Sequence, residues 1–113
     1  MDLSEKKAGE VIVLAFSGRL DAYSAGDVEK KLDTLIESGQ VKLVLNLEKM
    51  EYISSSGLRV FLAQLKKVRK QQGDIKLAYM KPYIKEVFDI AGFTQLFSIF
   101  ESEDPAINNF SVK

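Results

Sequence analysis

The sequence predicts an α/β domain, because segments with the pattern of buried strands alternate with segments that carry apolar residues at helical spacing. Its 113 residues are 46% hydrophobic and 28% charged, which suits one compact domain over residues 1–113. Strands separated by helices pair in parallel, since the chain must cross back over the sheet before the next strand begins. We therefore expect a mostly parallel mixed sheet of about four to five strands with about four helices.

The first half of the chain predicts three strands and one helix. The polar residues 3–7, "LSEKK", suit an edge strand. Val11–Phe16 is a β-branched run without alternation, as in a strand covered on both faces, and "SGRLD" predicts its end. A helix that stops near Gly39 follows, and Val41–Leu47 is the next strand. The apolar residues of that helix recur at helical spacing: Ala25, Val28, Leu32, Leu35 and Ile36.

The second half predicts three helices and two strands. A helix ending at Gly73 is followed by a strand over residues 74–80 and by a helix over residues 81–93. A short strand over residues 96–100 precedes a final helix that begins near Pro105. The inward faces of these helices are predicted to carry Leu58, Phe61, Leu62, Leu65 and Val68 in the first, Ile84, Val87, Phe88 and Ala91 in the second, and Ile107 and Phe110 in the third.

Two strand-to-helix loops are predicted to form a functional surface. Parallel strands share a direction, so the loops "SGRLDAYS" (17–24) and "MEYISSSG" (50–57) emerge at the carboxyl edge of the sheet, where α/β proteins usually bind their ligands. If the two strands are neighbours, the loops are in contact.

Three consecutive serines open the second helix in this surface. One serine suffices to cap a helix, which contributes about 1 kcal/mol, so the bland interpretation is a capped turn with spare hydroxyls. The sharper interpretation is phosphorylation, because a helix N-terminus favours an anion. A phosphate there would add roughly −1.5 to −2 charges to the surface without disturbing the core.

Composition argues against several classes of function. The chain has neither Cys nor His, so it lacks disulfides, thiol nucleophiles, the usual zinc ligands and an imidazole base. No glycine-rich phosphate loop occurs, and no spacing supports a serine hydrolase or a Ser-Lys dyad. The carboxylates Glu101, Glu103 and Asp104 are interpreted as solvated groups of a polar tail. We therefore expect a protein that is not an enzyme and needs no cofactor or metal.

Charge and hydropathy limit the partners. Sixteen basic residues balance sixteen acidic ones, and the basic run "KKVRKQQ" is interpreted as a solvated helix end, so we expect no nucleic-acid partner. No apolar stretch approaches the ~20 residues of a membrane span. The N-terminus lacks the pattern of a signal peptide, which together with the absence of cysteine predicts a cytoplasmic protein.

The order of "GRLDAYS", a helix, "LVLNLEKMEYI", "SSSGL" and a second helix resembles a STAS domain, and the small free-standing type is similar to the bacterial anti-sigma factor antagonists. The resemblance extends to "GDIKLAYMKPYIKEVFDIAGF" and so covers nearly the whole chain. Its most specific part is the loop where the family has Asp-Ser-Ser/Thr-Gly-Leu. This resemblance implies that Ser55 is the phosphorylated residue, and Ser54 occupies the position of the family's Asp.

The resemblance also implies a partner switch. An unphosphorylated antagonist binds an anti-sigma factor that is a serine kinase, phosphorylation releases the antagonist, and a serine phosphatase restores it. The implied partner-binding residues are Asp21, Tyr23, Ser24, Ser54, Ser55, Ser56, Gly57 and Leu58. Tyr23 and an exposed Leu58 are the expected anchors. Tyr52 is interpreted as a residue that packs against the helix start.

Two alternatives stay open. With three consecutive serines, the modified residue could be Ser56 or Ser54 instead of Ser55. Some STAS domains act as scaffolds or ligand-binding modules without phosphorylation, and the loss of the family's carboxylate at Ser54 keeps this alternative in view.

Overall fold

A computed structural model describes residues 1–110, and its strands and helices alternate as the sequence predicts. The last three residues of the predicted domain lie outside the described residues. The elements are β1 (Asp2–Ala8), β2 (Val11–Leu20), α1 (Ala25–Glu37), β3 (Lys42–Ile53), α2 (Ser55–Lys70), β4 (Asp74–Ala78), α3 (Pro82–Ala91), β5 (Ser98–Phe100) and α4 (Glu103–Asn109). The predicted α/β class is confirmed.

The strands form one mixed sheet in the order β1-β2-β3-β4-β5. The first strand pairs antiparallel with β2, and every later neighbour pair is parallel. The polar N-terminal segment is therefore an edge strand, as predicted. Because β2 and β3 are adjacent, the two loops of the predicted functional surface leave neighbouring strands.

Helices cover both faces of the sheet. From β2, Ile12, Leu14 and Phe16 pack into the core shared with α1, α2 and α3. The alternate residues Val11 and Val13 join a smaller cluster on the other face, which α4 closes with Ala106. A strand between two helical layers has no polar face, which explains why its sequence shows no alternation.

Both central strands are longer than predicted. The segment "SGRLD" does not end β2, which continues to Leu20, and β3 continues past Leu47 to Ile53. Gly18 has a φ of 105° and lies at an irregularity in the pairing of the two strands, so it marks a bulge within the strand, not a turn. The first loop shortens to residues 21–24, and the second shortens to Ser54.

Smaller corrections concern the later elements. The strand predicted over residues 74–80 ends at Ala78, because Tyr79 adopts a left-handed backbone with a φ of 58°. The predicted inward position of Ala91 is wrong: it is exposed at the end of α3, where the chain turns away at Gly92. The last strand begins at Ser98, and the last helix begins at Glu103 instead of near Pro105.

The inward face of α2 also differs from the prediction. Leu62 is half-buried and is not among the side chains that pack against the main core, whereas Gln64 is fully buried. The amide of Gln64 donates a hydrogen bond of 3.0 Å to Asp33 on α1. The buried face of α2 therefore includes Gln64 and leaves Leu62 at its margin.

Candidate partner-binding site

The two predicted loops meet at the carboxyl edge of β2 and β3. The backbone N–H of Ser54 donates a hydrogen bond of 2.8 Å to the carbonyl oxygen of Leu20, and Leu20 lies opposite Ile53 in the parallel pairing. The end of one strand thus fixes the start of the helix that follows the other. The predicted segments 17–24 and 50–57 are therefore in contact through Leu20 and Ser54.

Close packing of α2 against these strand ends depends on Gly57. A Cβ atom at this position would lie 2.6 Å from Cγ of Leu20 and 3.0 Å from Cγ1 of Ile53. Real side chains do not come so close, so a residue without a side chain is needed where the first turn of α2 crosses β2. Gly57 is accordingly buried.

The first loop is held by hydrogen bonds between its own residues. The carboxylate of Asp21 accepts hydrogen bonds from the backbone N–H of Tyr23 at 3.0 Å and from that of Ser24 at 3.2 Å. The hydroxyl of Ser24 accepts from the N–H of Asp21 and donates to the carbonyl of Arg19. Because the backbone is fixed on both sides, the side chain of Tyr23 points outward and is 96% exposed.

Asp21 is ionised over a wider pH range than a free carboxyl group. Desolvation raises the pKa of its carboxyl group. The hydrogen bonds from the backbone of Ser24 and Tyr23, together with the nearby charge of Arg19, lower this pKa by more than desolvation raises it, so the net pKa is below the ordinary value of 3.8. The first loop therefore presents a fixed negative charge beside an exposed tyrosine.

The three serines of the second loop have different environments. Ser54 is the N-cap of α2, and its hydroxyl accepts a hydrogen bond of 3.2 Å from the N–H of Gly57. Ser56 is half-buried. Ser55 is exposed, and within residues 1–110 its hydroxyl makes no hydrogen bond. Capping therefore occupies Ser54, and Ser55 is the most exposed of the three serines.

Two residues of the predicted surface lie inside the molecule. Leu58 is only 4% exposed and belongs to the main core, so the expectation of an exposed leucine anchor is wrong. It lies in the same core cluster as Leu20 and Ile53. With Gly57 also buried, the surface formed by the two loops consists of Asp21, Tyr23, Ser24, Ser54, Ser55 and Ser56.

An arginine and a tyrosine extend this surface in a way that the sequence did not predict. The guanidinium of Arg19 lies 4.3 Å from the ring centre of Tyr52, and the two residues are opposite each other in the pairing of β2 and β3. Tyr52 is 40% exposed, and the contact that the structure shows for its ring is the one with Arg19. The sequence could not predict this contact, because both residues lie beyond the predicted ends of their strands. The contact also depends on the register in which β2 pairs with β3.

The described residues contain no group of acidic, histidine or cysteine side chains suited to holding a metal ion. Over the same residues, none of the helices combines the length and apolar character that a bilayer-spanning segment requires.

Comparison with known proteins identifies the family. The sequence model of the STAS domain matches residues 3–106. The chain belongs to the STAS domain family. It is 34% identical, over 97% of its length and 95% of the relative, to a Bordetella bronchiseptica protein named as an anti-sigma factor antagonist, BtrV. It is 35% identical to the anti-sigma-B factor antagonist of Bacillus subtilis, over 78% of this chain and 80% of that one.

The fold is that of the solved anti-sigma factor antagonist SpoIIAA in its unphosphorylated form, with a TM-score of 0.79 over 99% of this chain and 100% of that one, at 19% identity. The phosphorylated form of the Bacillus cell fate determinant SpoIIAA superposes with a TM-score of 0.76, over 96% of this chain and 99% of that one, at 22% sequence identity. This STAS chain therefore belongs with the anti-sigma factor antagonists in sequence and shares their fold.

Proposed function

We propose that this STAS protein is an anti-sigma factor antagonist controlled by phosphorylation of Ser55. With Ser55 unmodified, it binds an anti-sigma factor that is also a serine kinase, and so frees a sigma factor to direct transcription. Phosphorylation of Ser55 by that kinase releases the protein, and a serine phosphatase restores it. The protein acts in the cytoplasm and is itself not an enzyme.

The observation that carries this proposal is the environment of Ser55. Its hydroxyl is exposed at the edge where the two loops meet, while the neighbouring Ser54 is engaged as a helix cap. A kinase can reach this oxygen without unfolding α2, and a phosphate there meets the unpaired N–H groups of the first turn, which favour an anion.

A phosphate at Ser55 acts on a docked partner through charge. It would place a dianion in the middle of a contact surface that includes the carboxylate of Asp21 and the exposed ring of Tyr23. Burying that charge carries a desolvation penalty and repels nearby negative groups. A loss of about 1.4 kcal/mol in binding free energy already weakens the affinity tenfold.

The relatives support the partner class. Two proteins at least 34% identical to this chain are named as antagonists of anti-sigma factors, and a protein of the same fold has been solved in a phosphorylated form. The departure from the family pattern at Ser54 leaves the capping role intact, because its hydroxyl accepts the hydrogen bond from Gly57.

Phosphopeptide mapping tests the proposal. The protein is incubated with ATP and the anti-sigma factor kinase encoded in its own genome, and the peptide spanning residues 54–56 is examined by mass spectrometry. We expect phosphate on Ser55 only. Ser55→Ala should block phosphorylation and keep the complex, whereas Ser55→Asp should weaken the complex.

Ser56→Ala is the matched control, because it removes a neighbouring hydroxyl and should leave phosphorylation unchanged. Phosphate on Ser56 or Ser54 would assign the switch to a different serine. An unmodified protein that binds the kinase stably in the presence of ATP would favour a STAS interaction module that acts without phosphorylation.

A further inference from the structure

The outer side of α2 combines basic residues with the proposed phosphorylation site. The helix carries five cationic side chains and no acidic one, although the chain as a whole has no net charge. Lys67 pairs with Asp33 at 2.6 Å, and Arg69 pairs with Asp74 at 3.3 Å. Within residues 1–110, the other three cations form no ion pair. These three are Arg59, Lys66 and Lys70.

These unpaired cations lie in line with Ser55. At 100° per residue, the positions 55, 59, 62, 66 and 70 fall within an arc of about 80° on the helix surface. We call this surface the α2 stripe: Ser55, Arg59, Leu62, Lys66 and Lys70. Its cations and Ser55 are exposed, and Leu62 is half-buried without packing against the main core. The stripe thus presents three exposed cations and one partly exposed leucine.

Helix stability does not explain Arg59. The helix dipole favours cations in the last turn, where Lys67, Arg69 and Lys70 lie. Arg59 is near the opposite end, where the dipole favours anions and where α2 has no acidic residue in its first turn. Arg59 is the fifth residue of α2, so it gains nothing from the helix dipole, and among the described residues it has no carboxylate to pair with.

We propose that the α2 stripe docks against an acidic surface of the protein partner, so that the contact area continues from the two loops along the helix. This inference rests on the proposed function, and it specifies the charge of the partner. An acidic partner surface is attracted by Arg59 and Lys66, and it is repelled by a phosphate placed at the head of the stripe. A basic partner surface would have the opposite response, because a phosphate at Ser55 would strengthen the complex.

A nucleic acid or an anionic membrane fits the stripe less well. The stripe has only three cations, with the apolar Leu62 between the first and the second, and it carries no aromatic side chain. The net charge of the chain is zero. Binding of a polyanion depends on many neutralised phosphates and on a basic overall field. The short stripe is better matched to a local acidic patch on a folded protein.

Charge neutralisation on two faces tests the inference. The affinity of the anti-sigma factor kinase encoded in the same genome is measured by calorimetry for the wild-type protein, for Arg59→Gln with Lys66→Gln, and for Lys7→Gln with Lys30→Gln. The second pair removes the same charge from exposed lysines of β1 and α1 that make no ion pair within residues 1–110. Equal urea midpoints for the three proteins establish that both variants are folded.

We expect the stripe variant to lose affinity by at least about tenfold at low salt, with a smaller loss at high salt, and the control pair to change it by less than about twofold. Equal affinities of the stripe variant and the wild type would overturn this inference alone. A wild-type protein that does not bind the kinase would overturn the proposed function and this inference together. Stripe-dependent binding of phosphatidylserine vesicles or of single-stranded RNA, without an effect on the kinase, would assign the stripe to a polyanion.

Discussion

Gly57 couples the start of α2 to the end of β2 at the scale of a single residue. Alanine usually stabilises a helix relative to glycine by about 0.5–1 kcal/mol, but here its Cβ would lie 2.6 Å from Cγ of Leu20. This contact involves the branch point of a buried side chain, which has no room to move. The collision therefore outweighs the gain in helix propensity.

We predict that Gly57→Ala lowers the free energy of unfolding by roughly 1–3 kcal/mol, measured by urea denaturation. Gly26→Ala is the matched control, because Gly26 lies in the first turn of α1 and a Cβ there meets no atom within 4 Å. The control should be neutral or slightly stabilising. Equal effects at both positions would contradict the close approach of α2 to Leu20.

A phosphate on Ser55 should stabilise the free protein. It would lie at the positive end of the helix dipole and one turn before Arg59, the spacing at which side chains of opposite charge pair along a helix. We predict that phosphoserine installed at position 55 during translation raises the free energy of unfolding by about 0.5–1 kcal/mol. The gain should be smaller in Arg59→Gln.

The urea midpoints of the phosphorylated and unmodified proteins, each with and without Arg59→Gln, give this coupling directly. A phosphate that destabilises the free protein would show that release works by unfolding the helix start, and not by changing the surface of an intact domain.

At the scale of elements, α4 is held on the sheet by ionic contacts at its first residue. Glu103 pairs with Lys6 of β1 at 2.6 Å and accepts a hydrogen bond from the amide of Asn46 of β3. Its side chain is only 16% exposed, so it is not the solvated tail carboxylate that the sequence suggested. Desolvation raises the pKa of Glu103. The contacts with Lys6 and Asn46 together lower this pKa by more than desolvation raises it, so the net pKa is below the ordinary value of 4.5.

A carboxyl group whose pKa is lowered by folding contributes stability above its ordinary pKa and loses that contribution as the pH falls through the lowered value. We predict that Glu103→Gln costs about 1 kcal/mol at neutral pH, since Lys6 is largely exposed. The difference from wild type should shrink as the pH falls below 4.5. Hydrogen exchange of the α4 amides should become faster in the variant.

Glu101→Gln is the matched control, because Glu101 is exposed and forms no ion pair within residues 1–110. It should change neither the free energy of unfolding nor the exchange of α4. A pH-independent effect of Glu103→Gln would indicate that the loss is one of packing and not of charge.

The order and type of the elements could be predicted from the sequence, but the ends of the central strands could not. Apolar runs and helical spacing are local signals, and they located most of the helices and strands that the structure describes over residues 1–110. Gly18 has the sequence signature of a turn, yet it lies in a bulge whose position depends on pairing with β3. The length of each strand depends on its pairing with the neighbouring strand, and a local sequence pattern carries no information about that pairing.

The candidate site shows the same division. The convergence of the two loops follows from parallel strand direction, and Ser55 follows from the family motif. The burial of Leu58 follows from its helical spacing, and it contradicts the exposed anchor that the resemblance implied. The burial of Gln64 could not be predicted, because it depends on an amide partner, Asp33, supplied by α1. The pairing of Arg19 with Tyr52 was missed for a similar reason, since it depends on cross-strand register.

At the scale of the whole molecule, the proposed phosphorylation site lies apart from the aromatic core. The aromatic rings of Phe16, Phe61, Phe88 and Phe97 form a chain of contacts through the core, with centroids 5.6–6.4 Å apart. Ser55 lies outside this core at the carboxyl edge of the strands. If Ser55 is phosphorylated as proposed, we expect the added charge to change the surface of the domain and to leave the packing of these rings unchanged.

The most direct test of this account is the affinity of the anti-sigma factor kinase for the protein with phosphoserine at position 55, compared with the unmodified protein. We predict at least about a tenfold loss of affinity, equivalent to about 1.4 kcal/mol. Equal affinity of the two forms, or tighter binding of the phosphorylated one, would contradict it.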